Sequence, residues 1–126
     1  EATYHLINKQ NIKQIKKGVI LINTSRGSLV ETDALLEAMD KGILAGAGFD
    51  VLEGEELIKE EKQLLYDKEN PEKLKQLLKD HIILSKDNVV YTPHIAFYSQ
   101  EALERILETT VKNINSFTDN KLQNSV

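Results

Sequence analysis

The run Gly18-Val19-Ile20-Leu21-Ile22-Asn23-Thr24-Ser25-Arg26-Gly27 restricts this chain more than any other stretch, because its first half tolerates a single environment. Val19, Ile20, Leu21 and Ile22 are apolar in succession, mostly β-branched, and bounded by glycine and small polar residues. That pattern predicts a strand over Val19–Asn23 buried on both faces, as in a parallel sheet, and therefore an α/β domain. The run stops at Thr24-Ser25-Arg26-Gly27, and in open α/β sheets ligands bind just beyond the carboxyl ends of the strands. Arg26 sits at that place. Its guanidinium either meets an anion whose two oxygens suit its fork, or pairs with a local carboxylate or with solvent.

Composition narrows the class of protein. The 126 residues are 40% hydrophobic and 29% charged, ordinary for one globular domain with its own core. A net charge of -4 without a basic patch argues against a nucleic-acid or anionic-membrane partner. No apolar run reaches the roughly 18 residues of a membrane span, and the N-terminus has no charged-then-apolar signal layout. There is no cysteine, hence no disulfide framework or thiol chemistry, and a cytoplasmic location fits best. Glu1 opens the chain in place of a methionine, close to a helix and with no strand before it, so the chain reads as a piece of something longer.

In chain order, Asn8 caps a short helix with Ile12 and Ile15 on one face and Gly18 as its stop; Asn11 with Gln14 is a rival start one turn later. Residues 32–41 place Leu35, Leu36 and Met39 at helical spacing behind a Thr32 cap, with Gly42 in the left-handed position that ends a helix. Residues 43–51 read as a second buried strand ending at Asp50, in which Ala45, Gly46, Ala47 and Gly48 permit close approach of backbone or ligand. Gly46-Ala47-Gly48 is not a dinucleotide fingerprint, since the third small position falls on Val51 and no helix opens directly after it.

From residue 52 to residue 87 the composition shifts, with 17 of 36 residues charged. Leu57, Ile58, Leu64, Leu65, Leu74, Leu77 and Leu78 recur there at helical intervals, which predicts two amphipathic helices split at Asn70-Pro71. Residues 88–92 form a third strand, halted by Pro93, that delivers His94. Residues 99–117 carry Leu103, Ile106, Leu107, Val111, Ile114 and Phe117 on one stripe of a long helix, and the polar tail 118–126 is expected to fray.

Three times a strand ends in a polar side chain: at Arg26, at Asp50 with the acidic cluster Glu53, Glu55 and Glu56, and at His94. Parallel strands joined by right-handed crossovers bring these ends to one edge of the sheet, where an arginine, a carboxylate and a histidine can share a cleft. Histidine exchanges a proton near neutral pH, and a neighbouring carboxylate orients its ring. The expected chemistry is proton transfer beside an anchored anionic substrate. His5 and His81 are read as non-catalytic, and the three histidines lack a common metal-ligand spacing, so no metal is expected.

Ile22-Asn23-Thr24-Ser25-Arg26-Gly27, then Gly48-Phe49-Asp50-Val51-Leu52-Glu53-Gly54-Glu55, then Thr92-Pro93-His94-Ile95-Ala96-Phe97-Tyr98 resemble, in order and at compatible spacing, the three C-terminal motifs of NAD-dependent D-2-hydroxyacid dehydrogenases. The match runs from residue 3 to about residue 117 except across the charged insertion. The resemblance implies the second half of a Rossmann-type, doubly wound parallel-sheet domain over residues 1–98, with a charged helical insertion at 52–87. Residues 99–126 would then be a C-terminal helix and tail that pack toward a substrate domain.

The resemblance further implies that Arg26 binds the substrate carboxylate and helps polarise its carbonyl, while His94 donates a proton to the keto oxygen as NADH delivers hydride. Glu55 is the carboxylate that pairs with His94, with Glu53 and Glu56 as rivals set aside by the family's spacing. Asp50 meets the nicotinamide carboxamide or ribose, and Thr3, Thr24 and Ser25 line the cofactor side. Without the resemblance, Asp50 is equally a cap for the following turn, Thr3 a turn hydroxyl and His94 a structural strand-end histidine.

His94-Ile95-Ala96-Phe97-Tyr98-Ser99 resembles the D-lactate dehydrogenase branch. Phosphoglycerate-oxidising members more usually carry two glycines where Ala96 and Phe97 stand, and an aromatic there would narrow the pocket against a phosphorylated substrate. The implied partners are a small 2-keto or 2-hydroxy acid and, for the full-length protein, a second copy in a homodimer. The glycine-rich turn and the acidic ribose-binding residue of the family are not found in these residues, so the 126-residue piece is expected to be inactive alone. A non-enzymatic NAD-sensing corepressor of the same fold is the other reading that the resemblance admits.

Overall fold

The computed structural model describes residues 3–59, 70–121 and 123–124. It falls into two compact units, Glu1–His94 and Ile95–Val126. The first unit is α/β. Its strands are β1 (Val19–Asn23), β2 (Leu44–Phe49) and β3 (Val89–Tyr91), and its helices are α1 (Thr32–Asp40), α2 (Glu55–Lys59) and α3 (Pro71–Leu84). All strands are parallel in the order β1-β2-β3, with Ile22 opposite Gly48 and Gly48 opposite Val90.

Two crossovers that step the same way along a sheet, with the same hand, lay their helices on one face. The core follows from this. Ala34, Leu35, Ala38 and Met39 of α1 and Ile83 of α3 share one cluster with Leu44, Ala47 and Phe49 of β2, and Leu21, Val89 and Tyr91 pack against it. The opposite face is bare: Ile20, Ile22 and Val90 are 67%, 70% and 69% exposed. The expectation that β1 is buried on both faces is therefore corrected. An apolar run records what a strand can bury, and within this unit both helices cover the same side.

Two local expectations change as well. The helix expected after Asn8 is a single turn, with 3-10 geometry over Ile12–Gln14, although Asn8 Oδ1 does accept from the N–H groups of Gln10 and Asn11. With Ile12 alone fully buried, one turn lacks the packing that offsets helix nucleation. Thr32 is the first helical residue of α1 and not its cap; Glu31 precedes it without a capping side-chain bond, and Thr32 gives both its N–H and its hydroxyl to Glu53. At the other end Gly42 takes the expected left-handed conformation, φ +65°.

The strands at 43–51 and 88–92 are each trimmed to their hydrogen-bonded centres. The helix break at Asn70-Pro71 is found, with Pro71 opening α3. Leu64 and Leu65 lie outside the described residues. The second unit is the helix α4 (Gln100–Thr118), capped by Ser99 Oγ accepting from the Ala102 N–H, with Ile106, Leu107, Val111, Ile114 and Phe117 exposed along it. Among the described residues no helix is long and apolar enough to cross a membrane.

Candidate active site

The parallel order puts the carboxyl ends of β1, β2 and β3 on one edge, and the chain leaves that edge through three loops that carry Arg26, Asp50 and His94. Backbone bonds continue the ladder beyond the strands. The Asp50 N–H donates to the Asn23 carbonyl at 2.9 Å, the Thr92 N–H to the Phe49 carbonyl at 2.8 Å, and the His94 N–H to the Asp50 carbonyl at 2.8 Å. His94 is thus fixed to the end of β2 by its own backbone. It has φ +57°, a left-handed conformation that is unfavourable for a residue with a Cβ and recurs where function demands a particular side-chain direction.

In that conformation His94 Nδ1 lies 2.8 Å from Glu55 Oε1, in a pair whose side chains are 42% and 20% exposed. The other carboxylate oxygen of Glu55, the first residue of α2, accepts from the Leu52 N–H at 3.2 Å. A carboxylate can only accept, so in the neutral imidazole the proton is placed on Nδ1 and Nε2 is left for a second partner. Glu53, one of the two rivals, bonds His5 and Thr32 instead.

The Arg26 side chain is exposed, and Nη1 donates to the Ser25 carbonyl at 2.7 Å. Among the described residues no carboxylate pairs with this guanidinium. Asp50 is buried and its Oδ1 accepts from the Thr92 hydroxyl at 2.5 Å. Burial, together with the charges of Glu55 and Asp50, pushes the Tyr91 phenol above its ordinary range. Thr24 and Ser25 are exposed just past β1. Thr3 is exposed on the N-terminal turn, two residues from His5, whose N–H donates to the Ser28 carbonyl beyond Arg26.

Two supporting residues escape a reading by sequence alone. Asn23, 7% exposed, accepts from the Ser25 N–H and donates to the Arg26 carbonyl, which shapes the turn presenting Arg26. An asparagine ending a strand before Thr-Ser-Arg-Gly is a recognisable sign of such a turn. Thr92, which stands in the third motif with no role expected of it, holds Asp50 through its hydroxyl.

A parallel sheet with an arginine, a buried carboxylate and a carboxylate-bound histidine at its carboxyl edge defines a nucleotide-binding α/β class with acid-base chemistry at the strand ends. The comparison with known proteins specifies the family. Residues 1–96 match the family described as D-isomer specific 2-hydroxyacid dehydrogenase, NAD binding domain, and the chain belongs to it.

Among relatives, 2-hydroxyacid dehydrogenase homolog 2 of Schizosaccharomyces pombe is 38% identical over 99% of this chain and 36% of its own length. A D-specific alpha-keto acid dehydrogenase of Enterococcus faecalis is 40% identical over 91% of this chain and 33% of its own. The D-lactate dehydrogenase of Aquifex aeolicus, solved with NAD and lactic acid, superposes with a TM-score of 0.80 at 42% identity, over 95% of this chain and 34% of that one. The chain spans about a third of the length of the relatives it matches.

The residues present suit one end of such a dinucleotide. A cavity of about 170 Å³ at the edge is lined by Ile22, Gly48 and Val90 below and by Thr24, Asp50 and Thr92 above. It is ring-sized, apolar at its floor and polar at its rim, and a side chain at Gly48 would stand on that floor between Ile22 and Val90. An apolar floor with a polar rim suits a planar aromatic carboxamide.

Proposed function

We propose that this chain is the catalytic-residue-bearing part of an NAD-dependent D-2-hydroxyacid dehydrogenase, with pyruvate and D-lactate as the substrate pair. The observation that carries the reading is the 2.8 Å bond from His94 Nδ1 to Glu55 Oε1 on the same sheet edge as Arg26. Arg26 binds the substrate carboxylate through two parallel hydrogen bonds and holds the keto carbon near the ring-sized cavity. His94 acts as the imidazolium: it gives its Nε2 proton to the keto oxygen and is left as the neutral Nδ1–H imidazole, which Glu55 keeps oriented. NADH, when bound, would supply the hydride for the carbonyl carbon, and with the His94 proton on the oxygen the carbonyl would become a hydroxyl. Asp50, with Thr24 and Ser25, holds the nicotinamide side, and Thr3 extends that side.

The full-length protein is read as a cytoplasmic homodimer, in keeping with the family resemblance. The test is NADH oxidation by the full-length protein with pyruvate, glyoxylate and aromatic 2-oxoacids, the last two being substrates named for relatives. Turnover with pyruvate is expected, and His94→Gln should lower kcat by roughly 10²–10⁴. NADH binding without turnover of any 2-keto acid would favour the corepressor instead.

A further inference from the structure

A second carboxylate on the β2–α2 loop, outside the catalytic pair, is bonded at both oxygens. Glu53 Oε1 lies 2.6 Å from His5 Nε2 and accepts a longer bond of 3.3 Å from the Tyr4 hydroxyl. Oε2 accepts from the Thr32 N–H at 3.1 Å and from its hydroxyl at 2.8 Å. Its backbone carbonyl accepts from Gln76 Nε2 at 3.0 Å, and the same amide donates to the Thr32 hydroxyl and to Asp80 Oδ1. These partners belong to the N-terminal turn, the first turn of α1 and α3. The loop is therefore fastened from three directions at residue 53, two residues before Glu55.

The chemistry at Glu53 is that of an anchor. The first N–H groups of a helix have no partner within it, and a carboxylate there also meets the positive end of the helix dipole; Glu53 supplies from outside the cap that Glu31 does not. Burial pushes its carboxyl up, but the bonds from His5 and Thr32 outweigh burial and hold it below the ordinary range, so it is ionised and accepting at neutral pH. Within the loop itself the bonds are local, from the Leu52 N–H to Glu55 Oε2 and from the Glu55 N–H to the Leu52 carbonyl. They shape the turn but do not fix it to the rest of the unit.

We infer that Glu53 is a positioning residue for the Glu55–His94 pair: through its carboxylate it joins His5 and α1 to the loop, beside the backbone bond to α3, and so sets where Glu55 stands and which imidazole nitrogen faces the substrate. The kinetic consequence rests on the proposed dehydrogenase reading. The tautomer consequence does not. A glutamine offers one acceptor oxygen and one donor group, so Glu53→Gln cannot accept at both ends.

In full-length Glu53→Gln, kcat for pyruvate reduction is expected to fall about tenfold with KM within about twofold, the cost of a misplaced catalytic group. Nitrogen NMR of neutral His94 should show the Nδ1–H tautomer giving way to Nε2–H. Thr32→Val, which removes only the hydroxyl, should move both readouts the same way, by roughly threefold in kcat. A merely structural glutamate would lower Tm and leave kcat and the tautomer at wild-type values, which overturns the inference. If Glu53→Gln does not fold, the same two readouts in Thr32→Val decide, wild-type values again overturning it. A wild-type protein that turns over no 2-keto acid overturns the dehydrogenase reading alone, and the tautomer shift still decides the role of Glu53.

Discussion

At Arg26 the decisive property is the shape of the cation. Lysine would keep the charge but bind a carboxylate as a point donor, losing one of two parallel bonds. Arg26→Lys in the full-length protein should therefore cost roughly 1.5–3 kcal/mol of substrate interaction, read as a loss of kcat/KM for the 2-keto acid. An unchanged kcat/KM would remove Arg26 from the substrate. The neighbouring residue shows how closely the loops after β1 and β2 are fitted. A Cβ at Gly27 would stand 2.0 Å from the Leu52 carbonyl oxygen, so the loop that carries Arg26 rests directly on the backbone that leads to Glu55. Such an approach is invisible in a linear sequence, where Gly27 reads only as the end of a motif. Arg26 and His94 are legible because each follows a β-rich apolar stretch, whereas Glu53 and Glu55 are equally acidic and two residues apart. Residue type does not separate them; the family's spacing favours Glu55, and the bonds, to His5 and Thr32 for Glu53 and to His94 for Glu55, show what each carboxylate meets.

Helix α3 carries a carboxylate that works against its own burial. Asp80 is completely buried, its Oδ1 accepts from Gln76, and its Oδ2 has no hydrogen-bond partner among the described residues. Burial foremost, with added repulsion from Glu53 and Glu56, outweighs the Gln76 bond and the Lys79 charge, so the carboxyl is pushed from the ordinary 3.8 up to about 7. Folding then takes up a proton between those values. Stability from this group is complete below about pH 4 and is lost as pH rises toward 7. Asp80→Asn, which keeps the acceptor and removes the charge, should raise unfolding free energy at about pH 8 by roughly 2–4 kcal/mol and change it little at about pH 4. Urea denaturation at both pH values checks this; a variant with the wild-type slope would place the proton on another group. The polar character of Asp80 gives a sequence reading no reason to place it in the core, since a charged residue at helical spacing normally faces water. Elements whose own residues decide the matter are legible: the three strands, the proline-opened α3 and the Ser99-capped α4. Those decided by tertiary partners are not, as at Thr32, whose N–H is met by Glu53 across the fold, and in the single turn after Asn8, which has too little to pack against.

Across the first unit the imbalance lies between the two faces of the sheet. Ile20 and Ile22 of β1 and Val90 of β3 stand exposed on the two outer strands, and Gly46 and Gly48 of β2 between them add no side chain, which leaves a shallow apolar cavity of about 500 Å³. Parallel sheets are ordinarily covered on both faces, and this surface is broad, apolar and flanked by the outer strands β1 and β3. A polypeptide of these 126 residues alone is therefore expected to self-associate through this face. Replacing Ile20, Ile22 and Val90 together by threonine separates that cause from general instability. Threonine is also β-branched and favours strands, and the three positions lie outside the buried core, so the fold should persist while the face becomes polar. Sedimentation velocity at micromolar concentration should show larger species for the parent polypeptide and a shift toward monomer for the triple variant, with circular dichroism unchanged. A parent that sediments as a monomer, or a triple variant that associates as strongly as the parent, would show that this face does not drive association.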